Sequence, residues 1–139
     1  MKVETKIELL KLPLRTKELV IQLPELEANL AKALIDESLF RNQHHGYLAS
    51  SGSDCQEVKR LLAEISIDNP GKNAAERDAW SLRQRVENQA VNDAITKQRE
   101  VAFVLDDYRI KVEMAKRKYE SVKVVLNLRT AQINFLAED

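Results

Sequence analysis

The sequence has few of the residues that interrupt helices or cross-link small secreted domains. Its 139 residues include three glycines, three prolines and one cysteine, Cys55. A single cysteine cannot form an internal disulfide, so the chain has no disulfide framework and we expect a reducing, cytoplasmic compartment. No apolar run has the length of a membrane-spanning helix, and the N-terminal residues lack the apolar segment of a signal peptide. We therefore expect no membrane partner.

The sequence also lacks a charge bias. Lysine and arginine together number 22, as do aspartate and glutamate, so the formal net charge is zero. Net charge therefore gives no argument for general nucleic-acid or membrane binding, although it leaves room for a local basic patch. Charged residues make up 32% of the chain and aromatic residues 5%. This composition is typical of long amphipathic helices with hydrated outer faces.

The C-terminal half carries a heptad pattern. The stretch Lys72–Asp139 contains neither glycine nor proline. From Ala94 onward a mainly apolar seam recurs in alternating steps of four and three, as in a helix packed along its length against another. Asn88, Asn92 and Asp93 are the poorest helix formers in this stretch, so a continuous helix and one broken between Asn88 and Asp93 both remain open. The C-terminal seam consists of Ala94, Gln98, Val101, Leu105, Tyr108, Val112, Ala115, Tyr119, Val122, Leu126, Arg129, Ile133 and Leu136.

The N-terminal part allows two interpretations. Lys6–Leu12 and Lys17–Leu23 are compatible with a β-hairpin that turns at Pro13–Thr16. We favour a helix over about Leu14–Asn42, because leucine, lysine and glutamate form helices well and a second heptad pattern runs through it. Pro24 would then kink this helix or lie in the first turn of one that restarts there. The N-terminal seam consists of Leu9, Leu12, Thr16, Leu19, Leu23, Leu26, Leu30, Ala33, Glu37 and Phe40.

The segment between the two arms predicts a loop and a short helix. Gln43–Ser53 is rich in histidine, glycine and serine, which favours a surface loop. Ser53 or Asp54 is then placed to cap a short amphipathic helix that ends near Ile65.

A turn and a capping box predict where the next helix begins. Asp68–Gly71 has the composition of a turn, and Asn73 with Glu76 three residues later forms a capping box. Because two heptad seams near the chain ends can bury each other, we predict an all-α fold. It would be an antiparallel coiled-coil helical hairpin with a short middle helix, resembling a three-helix bundle, in a single domain over residues 1–139.

Two stretches in this sequence resemble a known group of proteins. Leu12-Pro13-Leu14-Arg15 opens a leucine-rich helix, and Gly71-Lys72-Asn73-Ala74-Ala75-Glu76-Arg77-Asp78-Ala79 opens a second. The pattern resembles small helical proteins encoded by phages and prophages, which typically have a Gly-Lys-Asn helix start between two heptad arms. The resemblance implies an accessory role, such as phage DNA metabolism or counter-defence, and provides no activity to carry over to this chain. The chain departs from the group at Asn88, Asn92 and Asp93, where such arms usually carry strong helix formers.

The residue types that bind metals or catalyse reactions form no recognisable constellation. His44 and His45, with Cys55 further on, are the nitrogen and sulfur ligands available, but adjacent histidines chelate one ion poorly and no CxxC or HExxH spacing completes a site. Gly71-Lys72 lacks the rest of a phosphate-binding loop. We therefore predict no enzymatic activity, no catalytic residue, no metal, no cofactor and no small-molecule partner.

A basic stretch and one tryptophan are the candidate binding features. Arg109, Lys116 and Lys123 recur at sevenfold spacing, so one side of a helix could follow a phosphate backbone. The same residues could instead pair with the acidic N-terminal arm or with an acidic protein. Trp80 is either a core residue or an exposed anchor for another protein. The candidate nucleic-acid-binding residues are Arg109, Lys116, Arg117, Lys118, Lys123 and Arg129.

The leading functional prediction is a helical interaction or assembly protein that binds another protein or forms a homodimer. The alternative is a nucleic-acid-binding accessory protein that uses its basic C-terminal helix.

Overall fold

The computed structural model describes residues 12–138, with side chains described for residues 16–136. This part of the chain contains no β-strand, which confirms the all-α class. The strand interpretation of Lys17–Leu23 is wrong, because those residues are helical; Lys6–Lys11 lies outside the described residues. The helices are α1 (Leu12–Gln43), α2 (Gln56–Ser66), α3 (Ala74–Glu87) and α4 (Gln89–Glu138), with a short 3-10 turn at His45–Tyr47.

The chain divides into two compact units. The arm unit holds the residues up to Glu37 together with those from Tyr108 onward, and the middle unit spans Ser38–Asp107. Helices α1 and α4 each contribute to both units. The prediction that the whole chain forms one cooperative domain stays a prediction.

Helix α1 runs for 32 residues and contains Pro24 in its interior. Proline lacks a backbone N–H and usually breaks a helix at the cost of one hydrogen bond. Here leucine-rich segments on both sides continue the same helix, so the alternative in which a new helix starts at Pro24 is wrong. The predicted boundaries, Leu14 and Asn42, agree with the observed ends to within two residues.

The long C-terminal helix is interrupted at Asn88. This residue is extended, with φ −74° and ψ 120°, and separates α3 from α4. Its Oδ1 accepts a hydrogen bond from the Val91 N–H at 3.2 Å, and Asn92 Nδ2 donates to the Val86 carbonyl at 2.8 Å. The two amides thus satisfy backbone groups that the helix ends leave without partners. The broken-helix alternative is therefore right, and α4, with 50 residues, is about 75 Å long.

The predicted N-terminal cap is confirmed for α3 and wrong for α2. Asn73 Oδ1 accepts from the Glu76 N–H at 2.9 Å, as in the predicted cap of α3, while the Glu76 carboxylate accepts from the Lys72 N–H at 2.8 Å. Helix α2 has Cys55 as its N-cap and no side-chain cap. The predicted cap by Ser53 or Asp54 is wrong, because the Asp54 carboxylate bonds Arg85 instead.

The predicted seams correspond to the shielded positions. In the arm unit, every C-terminal seam residue from Tyr108 to Leu136 is half-buried and the residues between them are exposed. The N-terminal seam residues from Thr16 to Glu37 are likewise half-buried. Leu9 and the side chain of Leu12 lie outside the described residues. The heptad pattern therefore predicted correctly which side of each helix is shielded.

Contacts within the arm unit join α1 to α4. Arg109 Nε lies 3.8 Å from Glu37 Oε1. A cavity of about 210 Å³ is lined by Leu26 and Asn29 of α1 and by Met114 and Ala115, among others, of α4. Side chains of α1 and α4 therefore line one cavity in the arm unit.

The core of the middle unit is small and mixed. Cys55, Val58 and Ala94 form its buried centre, so α2 and the start of α4 share it. The partly buried side chains around this centre are Tyr47, Leu61, Leu62 and Ile95.

The turn before α3 packs closely against that helix. Asn69 Nδ2 donates to the Arg77 carbonyl at 3.1 Å, and its Oδ1 accepts from the Gly71 N–H at 2.9 Å. A Cβ at Gly71 would lie 2.6 Å from the Arg77 backbone nitrogen. Only glycine permits this approach without displacing the turn.

Candidate interaction surfaces

Helix α4 carries a second apolar stripe in the arm unit, in addition to its seam. Sixteen large apolar side chains of the described residues are exposed, and five of those in the arm unit fall on two adjacent sevenfold rows of α4. Each of these rows follows a seam row by two residues in the sequence. Two residues correspond to a rotation of about 200° about the helix axis, so the rows lie nearly opposite the seam. We call this stripe the outer face; it consists of Ile110, Met114, Val124, Leu128 and Phe135, each 54% to 65% exposed.

The two edges of the outer face carry opposite charges. Glu113 and Glu120 follow one edge at sevenfold spacing, and Lys111 and Lys118 follow the other. Arg117 lies between them and interrupts the apolar stripe. Its Nε lies 3.2 Å from Glu113 Oε1 on the preceding turn. The outer face therefore combines an apolar centre with one acidic and one basic edge, which is the pattern of a helix that packs against another helix.

The candidate nucleic-acid-binding residues lie on several sides of α4. Arg109, Lys116 and Lys123 form one exposed row, as their spacing predicts. Successive residues of a helix are about 100° apart, so Lys116, Arg117 and Lys118 point in three directions. The basic row adjoins the row of Glu113 and Glu120, which weakens its positive potential.

Several of these basic side chains have contacts within the chain. Arg109 lies 3.8 Å from Glu37, and the Lys123 ammonium lies 5.2 Å from the centre of the Tyr119 ring. Arg129 is half-buried in the seam, and its Nε and Nη1 are buried with no hydrogen-bond partner among residues 16–136. Arg129 therefore belongs to the interior of the arm unit rather than to the exposed basic row.

Trp80 lies in the middle unit and is half-buried. Its burial is therefore intermediate between the two alternatives, a core residue and an exposed anchor. Trp80 lines an open cavity of about 460 Å³ between α2 and α3, together with Leu62, Ile65 and Leu82. Leu82 is 65% exposed and Val86, one turn further along α3, is 73% exposed. Trp80 thus packs on its own unit and still adjoins exposed apolar surface.

Two polar contacts hold the loop before α2. Gln98 Oε1 accepts from the Cys55 N–H at 3.1 Å, and Gln98 Nε2 donates to the Ser53 carbonyl at 2.9 Å. Arg85 donates two hydrogen bonds, of 2.6 and 2.5 Å, to the Asp54 carboxylate. These hydrogen bonds and the guanidinium charge hold the pKa of the Asp54 carboxyl below its ordinary 3.8.

The histidines and the cysteine have structural surroundings. The His44 ring stacks on Phe40 with centroids 4.3 Å apart, and its Nδ1 lies 3.1 Å from the Phe40 carbonyl oxygen. Cys55 is 1% exposed. No group of three or more histidine, cysteine, aspartate or glutamate side chains within the described part of the chain is arranged to hold a metal ion.

Sequence reasoning missed the outer face and the contacts around the loop. A search for a second heptad register in α4 would have found the outer face, because its residues keep the same spacing as the seam. The Asp54–Arg85 pair spans 31 positions and Gln98 bonds residues 43 and 45 positions away. No local sequence signal predicts such pairings.

Comparison with known proteins identifies no relative of this chain. No family model, curated protein or solved structure matches the chain, so the resemblance to phage and prophage proteins stays a prediction. None of the described helices combines the length and apolar character needed to cross a membrane.

Proposed function

We propose that this protein is a helical assembly protein, which acts by binding other helices rather than by catalysis. The observation that carries the proposal is that α4 has apolar stripes on opposite faces in the arm unit. One stripe is the shielded seam, and the other is the outer face defined by Ile110, Met114, Val124, Leu128 and Phe135. A role of this kind also fits the accessory proteins of phages that the sequence resembles.

The first part of the proposal is that the arms close on each other as an antiparallel coiled-coil hairpin. Glu37 meets Arg109, whereas Leu26, earlier in α1, shares a cavity with Met114, later in α4. An earlier position in α1 therefore meets a later position in α4, as it does when two helices run antiparallel. The alternating steps of four and three in both seams are those of knobs-into-holes packing.

The second part is that the outer face binds a helix from another molecule. A closed hairpin covers the seam but leaves each outer-face residue more than half exposed, although Met114 also lines the cavity with Leu26. An elongated apolar stripe of this kind usually marks a protein-interaction site. Its heptad spacing matches a helix, whose anchors recur at the same spacing.

The experiment compares the wild-type chain with a Val124→Glu/Leu128→Glu variant, both purified under native conditions from their own host. The control is Thr130→Glu, which adds a charge at an exposed position of the same helix, away from the apolar stripe and its two edges. Wild-type and control chains should elute in an assembly, alone or with another protein, and the double variant as a 15.9 kDa chain with unchanged helix content. An unassociated wild-type chain, or a double variant in the same assembly, would contradict the proposal.

A second candidate function is nucleic-acid binding by the basic row of α4. It is favoured by the exposed sevenfold row of Arg109, Lys116 and Lys123, and opposed by the adjacent acidic row. Backbone binding through lysine and arginine weakens steeply with salt. A gel shift at low salt that disappears in Lys116→Glu/Arg117→Glu/Lys118→Glu would support this function, and no shift at low salt would exclude it.

A further inference from the structure

We infer that the occupant of the outer face is the outer face of a second copy of this chain, with the two α4 helices parallel and in register. The inference rests on the proposed function and specifies its partner. The argument comes from the charges on the two edges of the stripe, because these edges complement each other.

In a parallel pair of helices, an edge residue that directly precedes a stripe residue in sequence, as Glu113 precedes Met114, faces the residue five positions later on the other chain. That rule brings Glu113 of one copy to Lys118 of the second, and twofold symmetry repeats the contact. Asp106 and Lys111 continue the two rows one heptad earlier. Glu120 meets the uncharged Val125, so every contact between two charged edge residues in this part of the helix joins opposite charges.

An antiparallel pair lacks this charge complementarity. When the stripe from Ile110 to Phe135 overlaps fully, the centre of such a pair lies between Val122 and Lys123. Lys118 then faces Val125 of the second copy, and Glu120 faces Asn127. No edge contact within the stripe joins opposite charges. The edge charges therefore select the parallel arrangement.

Arg117 and Ser121 form a polar interruption in the stripe. In the parallel arrangement, Arg117 lies level with Arg117 of the second copy. Each guanidinium is 77% exposed at its side chain and has Glu113 of its own helix at 3.2 Å, so its charge is partly compensated. A single polar layer in an otherwise apolar interface lowers affinity but fixes the register. Arg117→Leu should therefore tighten self-association.

The decisive experiment is a charge-swap cycle read by sedimentation equilibrium. Glu113→Lys and Lys118→Glu each place like charges across the interface, and we expect each to raise the dimer Kd roughly tenfold. The combined variant restores opposite charges across a parallel interface, so its Kd should fall below that of both single variants; it should stay above the wild-type value, because Arg117 has lost Glu113. Circular dichroism checks that each variant keeps its helix content.

Orientation is tested independently with a disulfide. Leu128→Cys in a Cys55→Ala background should form a cross-linked dimer on mild oxidation, because parallel in-register helices bring the two cysteines together. In an antiparallel pair with the stripe fully overlapped, the two cysteines would be about 17 Å apart along the axis. The cross-link should form when the concentration of this cysteine variant exceeds the dimer Kd.

The outcomes separate this inference from the proposed function. A double variant that stays as weak as the single variants, or a missing cross-link, overturns the parallel pairing. A wild-type chain that is monomeric at every concentration overturns self-association. Such a chain can still join an assembly with another protein in the purification from its host, and only the absence of any assembly there contradicts the proposed function.

Discussion

In the middle unit, one side chain, Gln98, bonds the backbone at both Cys55 and Ser53, whereas in the arm unit one pattern repeats along α1 and α4. The stability of the middle unit therefore depends on a few specific contacts, none of which can replace another. The arm unit distributes its stability over many similar seam positions. The difference teaches that a repeated pattern can be recognised in a sequence, while a specific long-range contact cannot.

The largest effect should come from breaking a specific contact in the middle unit. Gln98→Ala leaves the Cys55 N–H and the Ser53 carbonyl without their partner, so we expect the free energy of unfolding to fall by about 2 kcal/mol. Urea denaturation measures this change. Gln132→Ala, at an exposed position of the same helix, is the control and should have little effect. A loss for Gln98→Ala no larger than that of the control would show that water replaces the contact.

The next effect tests whether the seam carries the stability of the arm unit. Leu26→Ala removes a seam side chain and should destabilise by about 2 kcal/mol. Ile21→Ala is the matched control: Ile21 is 76% exposed, and its truncation should change stability by less than about 0.5 kcal/mol. Thermal and urea unfolding compare the two variants. Equal losses would mean that the seam and the exposed side of α1 contribute alike.

A smaller effect of opposite sign is expected at the polar seam position Arg129. Its buried Nε and Nη1 have no hydrogen-bond partner among residues 16–136, and a buried polar group without partners destabilises a fold. Arg129→Leu should therefore raise the free energy of unfolding by about 1 kcal/mol. Lys116→Leu, an exposed change of the same type, serves as the control. Destabilisation by Arg129→Leu would show that the guanidinium has a favourable contact in solution.

The smallest effect concerns the pH dependence of the middle unit. The pKa of Asp54 is lower in the folded chain, mainly because Arg85 donates hydrogen bonds to its carboxylate. This stabilisation is present above the ordinary pKa of 3.8 and is lost as pH falls through the lower, folded value. Both side chains are partly exposed, so Asp54→Asn should cost about 1 kcal/mol or less at pH 7.

The measurement for Asp54 is the free energy of unfolding at several pH values. Between about pH 5 and pH 2, the wild type should lose more stability than Asp54→Asn. Asp68→Asn, which removes an exposed carboxylate from the same unit, is the control and should follow the wild type. Parallel curves for the wild type and Asp54→Asn would contradict the role assigned to Arg85.

Particular residues show how far the sequence could predict the candidate surface. The seam from Tyr108 to Leu136 was predicted position by position, because burial repeats every three or four residues. The break at Asn88 was visible only as one of two alternatives, because asparagine is tolerated inside a helix and also caps one. The role of Asp54 was misassigned, because its position favours a cap and nothing nearby in the sequence indicates Arg85.

By itself, the amino-acid sequence determined the helical class, the shielded side of each long helix, the capped start of α3 and the positions of the basic residues. These features depend on local preference and on spacing along the chain. Only the tertiary structure decided that Gln98 holds the loop, that Asp54 pairs with Arg85 and that Nε and Nη1 of Arg129 are buried. Those outcomes depend on which distant residues meet in space, and short-range patterns carry no information about that.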